Sequence, residues 1–146
     1  MSAITALPAF EALVVFSVLL ALKMGAVAFV TAKARFDSKV VVNPEDAPVN
    51  PGAQAQSDEA ASTLRAKRAH LNDVENIPVF MILALLFTLT GCSAMAGWWY
   101  FGVYFGARML HTIFYLRAVQ PWRTAAFAIG QLTQLGMMVQ LLMRVL

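Results

Sequence analysis

Arg65, Arg68, Asn72 and Glu75 recur at spacings of 3, 4 and 3, which on an α-helix puts all four on one face. Arg108, His111 with Thr112, and Tyr115 repeat the pattern, and Arg123, Phe127 and Gln131 repeat it again. Each set lies on the body of an expected membrane helix, at cytoplasmic depth. A charged side chain at mid-membrane costs about 2.5–3.5 kcal/mol on insertion scales, so these groups are expected to face a protein interior or a wet cavity. In the set Arg68, Asn72, Glu75, His111, Tyr115 and Arg123 the cations outnumber the one carboxylate, and an unbalanced positive site expects an anion. The ligand that fits is an elongated zwitterion, with arginines for its carboxylates, Glu75 for an ammonium, and Asn72, Tyr115 and Gln131 for amides. Glutathione answers that description. Its thiol would lie beside Arg123, the Thr124 hydroxyl and a helix N-terminus, all of which favour thiolate. Arg65, Lys67 and Asp73 read differently, as charges that pair with others and hold helices together.

The elements that must position these residues follow from the distribution of charge. Of 146 residues, 60% are hydrophobic and 13% charged, with a mean hydropathy of +0.66. That balance excludes a disordered chain and argues against a soluble domain, whose surface needs more polar cover. The net charge of +3 is scattered, without aromatic interleaving, so nucleic acid is not an expected partner. The lone Cys92 excludes an internal disulfide framework and a Cys-based metal site. His70 and His111 stand on separate helices without a carboxylate at ligand spacing, so no metal is expected. A crossing needs about 20 mainly apolar residues. Residues 124–143 form one charge-free run, and 76–107 form a longer one broken by Gly91–Gly97. The expected fold is all-α: a single four-transmembrane-helix bundle with helices at about 8–35, 63–90, 97–118 and 122–145. Residues 37–62, rich in Pro, Asn, Gln and Ser, read as an aqueous loop, with Ser62 or Thr63 capping the second helix.

The start of the chain has no basic n-region or convincing cleavage site, so it reads as a retained span. Lys33, Arg35, Lys39, Arg65, Lys67 and Arg68 flank the first loop, and Arg117 and Arg123 the third, while the Gly91–Gly97 turn has no basic residue. Positive-inside bias places loops 1 and 3, and the polar pocket, toward the cytoplasm, in a bacterial inner membrane or an endoplasmic reticulum membrane. Lys23 and Glu11 are about 18 Å apart on one helix, so Lys23 is expected to meet a polar group on another helix or subunit. Trp98, Trp99, Trp122 and Tyr100 fall at span ends, where interfacial aromatics belong.

The stretch Leu64–Pro78, reading LRAKRAHLNDVENIP, resembles the signature of the membrane-associated eicosanoid and glutathione metabolism family, nearest its microsomal prostaglandin E synthase branch. Ala6–Phe10, Lys23–Met24, Asn43–Ala47, Arg108–Tyr115 and Pro121–Thr124 follow the same pattern in order. The resemblance implies a homotrimer with glutathione between neighbouring subunits, in contact with membrane lipid and a lipophilic small-molecule substrate. The implied glutathione contacts are Arg35, Arg68, Leu71, Asn72, Asp73, Glu75, His111, Tyr115, Arg123 and Phe127, with Arg108, Thr112 and Gln131 behind them. Arg35 would reach across the interface. Arg123 with Thr124 would activate the thiol, Thr124 falling at the position of a serine, and Asp46 would assist proton transfer. Two positions depart from the pattern: Leu71 stands for an arginine and Phe127 for a tyrosine. The implied activity is conjugation of glutathione to a lipophilic electrophile, or glutathione-dependent reduction or isomerisation of a peroxide. A non-catalytic lipid-binding or scaffold protein of the same fold is the rival. A channel ranks last, because Ile77–Leu89 is too apolar to line one.

Overall fold

The computed structural model describes residues 3–146 and contains four long helices: α1 (Phe10–Ser38), α2 (Ala61–Leu89), α3 (Ala94–Leu116) and α4 (Trp122–Val145). The expected four-helix order holds. α1 packs chiefly on α2, and α3 on α4. α1, α2 and α4 are long and apolar enough to cross a membrane. α3 has 23 residues, about 35 Å at 1.5 Å per residue; its Trp, Tyr and Gly content lowers its hydropathy.

The core is narrow and aromatic. Ala9, Ala12 and Leu20 meet Phe80, Ala84 and Phe87 of α2, Phe101 and Tyr104 of α3, and Met137 of α4. Phe80 and Tyr104 stack with ring centroids 3.7 Å apart, tying α2 to α3. At Gly97 a Cβ would lie 2.7 Å from the Ala9 Cβ, so only glycine lets α3 approach the start of α1 this closely. Outside that seam the large apolar side chains face outward, with Leu22 and Phe29 of α1 66% and 70% exposed. In a soluble protein such a surface would aggregate, whereas against lipid tails it has no such cost.

The helix ends show local causes. Gly91 carries φ +71, a conformation glycine takes without steric cost. Ser93 then caps α3 by accepting from Ala96 N–H at 3.2 Å. The cap expected at Ser62 or Thr63 is absent: α2 begins two to three residues earlier, with Ala60 at the cap position and no side-chain hydrogen bond. The first loop is more ordered than an aqueous linker. Val40–Val41 pairs in parallel with Gln54–Ala55, and Pro44–Val49 forms a 3-10 turn. Asn50, buried, accepts from Lys39 Nζ at 2.8 Å and donates to the Phe36 carbonyl at 3.1 Å. These bonds fold the loop back over the end of α1.

Candidate functional site

Two groups of charged residues stand on the bundle. One lies among the helices at mid-height. Lys23 Nζ of α1 donates to Asp73 Oδ2 of α2 and, at 2.6 Å, to Thr112 Oγ1 of α3. Arg108 Nη2 donates to Asp73 Oδ1 at 2.7 Å and to Asn72 Oδ1 at 2.6 Å. Lys23, Asp73, Arg108 and Thr112 are all buried. Beside them, Gln131 Nε2 of α4 donates to Asn76 Oδ1 at 2.6 Å, and Asn76 Nδ2 donates to the Asn72 carbonyl at 2.7 Å. All four helices are joined through these contacts. The expectation that Lys23 meets a polar group on another helix holds, as does the pairing of Asp73. That pairing buries Asp73 completely and engages both of its oxygens, so it is a helix-joining residue where the sequence pattern also placed it among the ligand contacts.

The other group surrounds a cavity of about 210 Å³ at the loop-1 end, lined by Ala61, Leu64, Arg65, Arg68, Tyr115 and Arg123. It holds three arginines and no carboxylate. The pairing expected for Arg65 does not occur: among the described residues it makes no ion pair, and it faces the cavity with Arg68. Lys67 does pair, with Glu59 Oε2 at 3.2 Å. Arg123 stacks over the Tyr115 ring, its Cζ 4.7 Å from the centroid. Arginine carries only donors, so the Gln120 amide oxygen faces Arg123, accepting from Nε at 3.1 Å and Nη2 at 2.5 Å. The Gln120 amide nitrogen then donates to Thr124 Oγ1 at 3.1 Å, which leaves the Thr124 proton available to another acceptor.

The remaining expected residues divide between these groups and the surface. His111 is buried, its ring 5.6 Å from Tyr115 and 5.8 Å from Phe127, centroid to centroid. Tyr115 and Phe127 thus flank its ring, and Tyr115 also lines the arginine cavity. Arg35 and Asp46 line a separate cavity of about 340 Å³ with Asn43, Glu59 and Lys67, on the far side of Leu64. There Arg35 Nη2 donates to Glu59 Oε1 at 3.2 Å, and Asp46 Oδ2 accepts from Asn43 Nδ2 at 3.3 Å. Within one chain Arg35 and Arg123 therefore do not share a pocket. Arg68, Leu71 and Glu75 point outward from α2, and among the described residues neither Arg68 nor Glu75 has an ion-pair partner. The helix-2 stripe expected to face the interior is mostly its outer face. The inner face is Ala66, Ala69, Asp73, Ile77 and Phe80.

Sequence reasoning passed over Gln120, Asn76, Gln134 and Glu59. Asn76 was legible as Asn72 plus four, and Gln134 as Gln131 plus three. Gln120 and Glu59 lie outside any helical repeat, so spacing carried no signal for them.

This arrangement of charges on four helices accompanies a clear family match. The MAPEG family model matches residues 13–143. The chain belongs to the MAPEG family. Among its relatives, prostaglandin E synthase of Equus caballus is 38% identical over 137 residues, 93% of this chain and 87% of that protein. Prostaglandin E synthase of Homo sapiens is 35% identical over 137 residues, 92% and 89% of the two chains. Microsomal glutathione S-transferase 1 of Mus musculus is 38% identical over 133 residues, 87% and 84% of the two. The MAPEG match thus covers both charged groups.

Among the described residues the far end of the bundle offers no comparable chemistry. Cys92 is buried in the turn between α2 and α3, and its burial pushes the thiol above its ordinary pKa, with Arg144 opposing the shift more weakly. A thiol in that state is a poor nucleophile.

Proposed function

We propose that this MAPEG protein is a glutathione-dependent membrane enzyme, and that the cavity of Arg65, Arg68, Tyr115 and Arg123 holds the glutathione anion. The observation that carries this reading is the convergence of three arginines on a cavity without a carboxylate. Such a cluster repels itself until an anion enters, and guanidinium groups match carboxylates with paired donors. The donor set fits glutathione in kind: arginines for its two carboxylates, the Asn72 amide for a carbonyl and Glu75 for its ammonium.

When bound, glutathione supplies a thiol whose deprotonated sulfur attacks an electrophilic carbon or a peroxide oxygen. Arg123, held in place by Tyr115 and Gln120, places a fixed positive charge at the start of α4. That charge and the helix N-terminus favour the ionised sulfur. Thr124 offers its hydroxyl proton to the same atom. Tyr115 forms one wall of the cavity, with His111 and Phe127 packed next to it. Outside, the apolar face of the bundle gives a lipophilic substrate a route from the bilayer.

The reading includes a homotrimer. Glu75 lies about 21 Å along α2 from Ala61 and is exposed in the single chain. A carboxylate at that depth facing lipid is costly, so a neighbouring subunit is its natural cover. The same neighbour would bring its own Arg35 toward the arginine cavity. Basic loop flanks support a cytoplasmic placement of this end.

The test is the thiolate absorbance that develops when glutathione is added to the purified protein in detergent at neutral pH. Wild type is expected to give the signal and Arg123→Ala to lose it, alongside turnover of aryl halides or organic hydroperoxides. If Arg123→Ala keeps both affinity and turnover, the assignment is wrong. Binding without thiolate would instead support the non-catalytic scaffold.

A further inference from the structure

Asn72 stands at the edge of the buried network, partly exposed where its neighbour Asp73 is sealed. The Arg108 side chain has no acceptor, so the Asn72 atom that meets it at 2.6 Å is the amide oxygen. The amide nitrogen is thereby turned away from Arg108, and among the described residues it has no acceptor. The orientation is fixed from several sides. Arg108 is held by Asp73 at 2.7 Å, Asp73 by Lys23 of α1, and Lys23 by Thr112 at 2.6 Å. The Asn72 backbone is held in turn by Asn76, which Gln131 of α4 holds at 2.6 Å.

A free asparagine amide presents either end to a ligand at little cost. Here one end is already taken. We propose that Lys23, Asp73 and Arg108 are positioning residues that make Asn72 an obligate hydrogen-bond donor toward a carboxylate or peptide carbonyl oxygen of the bound tripeptide, a reading that rests on the glutathione assignment. The ligand ammonium is excluded from this point, because two donors would face each other, and falls to Glu75. Lys23 touches no ligand. It acts through Asp73 and Arg108, from a helix that carries none of the three cavity arginines.

The test is a double-mutant cycle on the full chain in detergent, read by glutathione titration calorimetry and by the split between KM and kcat. Lys23→Met is expected to weaken glutathione binding about tenfold while kcat at saturating glutathione stays within about threefold, and Lys23→Arg to restore affinity. In an Asn72→Ala background, where no amide remains to be oriented, Lys23→Met is expected to add less than about twofold. A tenfold effect that persists without Asn72 overturns the proposal. Asn72→Asp keeps an oxygen for Arg108 and replaces the outward N–H with a second oxygen, and is expected to cost more than about tenfold in affinity. Unchanged affinity in that variant overturns the proposal even if Lys23→Met does not fold. A wild-type protein that binds no glutathione removes the functional reading as well, whereas a binding wild type with additive effects removes the positioning role alone.

Discussion

Arg108 and Arg123 are the same residue type on adjacent helices, and the bundle treats them in opposite ways. Arg108 is 1% exposed and meets a carboxylate that a lysine also holds. Arg123 borders a cavity, and its observed partners are an aromatic ring and a neutral amide. Neutral partners orient a guanidinium without cancelling its charge. The mid-height network therefore gives both of its cations a carboxylate, joins the helices and holds Asn72, while no carboxylate lines the cavity, which stays open to an anion. A cation signals anion binding when no protein carboxylate meets it, and burial alone does not separate the two cases.

The sharpest way to break this contrast is Asp73→Ala. It leaves Lys23 and Arg108 buried without a counter-charge, and removing one partner of a buried pair costs about 3–5 kcal/mol. The expected outcome is a large fall in thermal stability in detergent, measured with and without glutathione. A stable Asp73→Ala protein would show that Asp73 is not the counter-charge that holds Lys23 and Arg108 in the bundle. Arg123→Ala should do the reverse. Removing one preorganised electrostatic group from a reacting site costs about 10²-fold in turnover, with thermal stability unchanged within about 0.5 kcal/mol. Loss of stability there would erase the distinction between the two groups.

A smaller effect is expected at Thr124. Loss of a hydrogen bond to a charged group is worth about 1.5–3 kcal/mol, so Thr124→Ala should lower thiolate formation about tenfold or more, and Thr124→Ser should keep most of it. Glu59→Gln tests the exposed counterpart. Arg35 and Lys67 are 46% and 58% exposed at their side chains, and pairs of this kind contribute about 0–1 kcal/mol. Its stability should barely change in a melting curve. Least of all is expected at Cys92, whose raised pKa keeps it protonated. Alkylation in the folded protein should stay slow as pH rises through the ordinary thiol range, and become rapid only on unfolding.

Much of the architecture was legible in one dimension because lipid imposes a simple rule. Charge-free runs of span length had to be helices: α4 contains the run 124–143, and α2 ends and α3 begins inside the run 76–107. The loop after α1 was less legible. A two-residue strand pair and a buried Asn50 depend on contacts fourteen residues apart, which no local spacing encodes. At the site, periodicity grouped Arg68 with Asn72 and Glu75 correctly on one face of α2. It could not tell that this face points out of the single chain, since polarity on a membrane helix marks an interior and a subunit contact alike.

The sequence by itself determined the class of molecule, its helices, its family and the residue types gathered at the loop-1 end, because hydropathy and spacing are local quantities. Only the tertiary structure decided which charges are partnered. It set Asp73 between Lys23 and Arg108, drew Arg65, Arg68 and Arg123 around one cavity, and left Arg35 on the other side of Leu64. The reason is physical: charge balance belongs to neighbours in space, and these neighbours come from helices far apart in the chain.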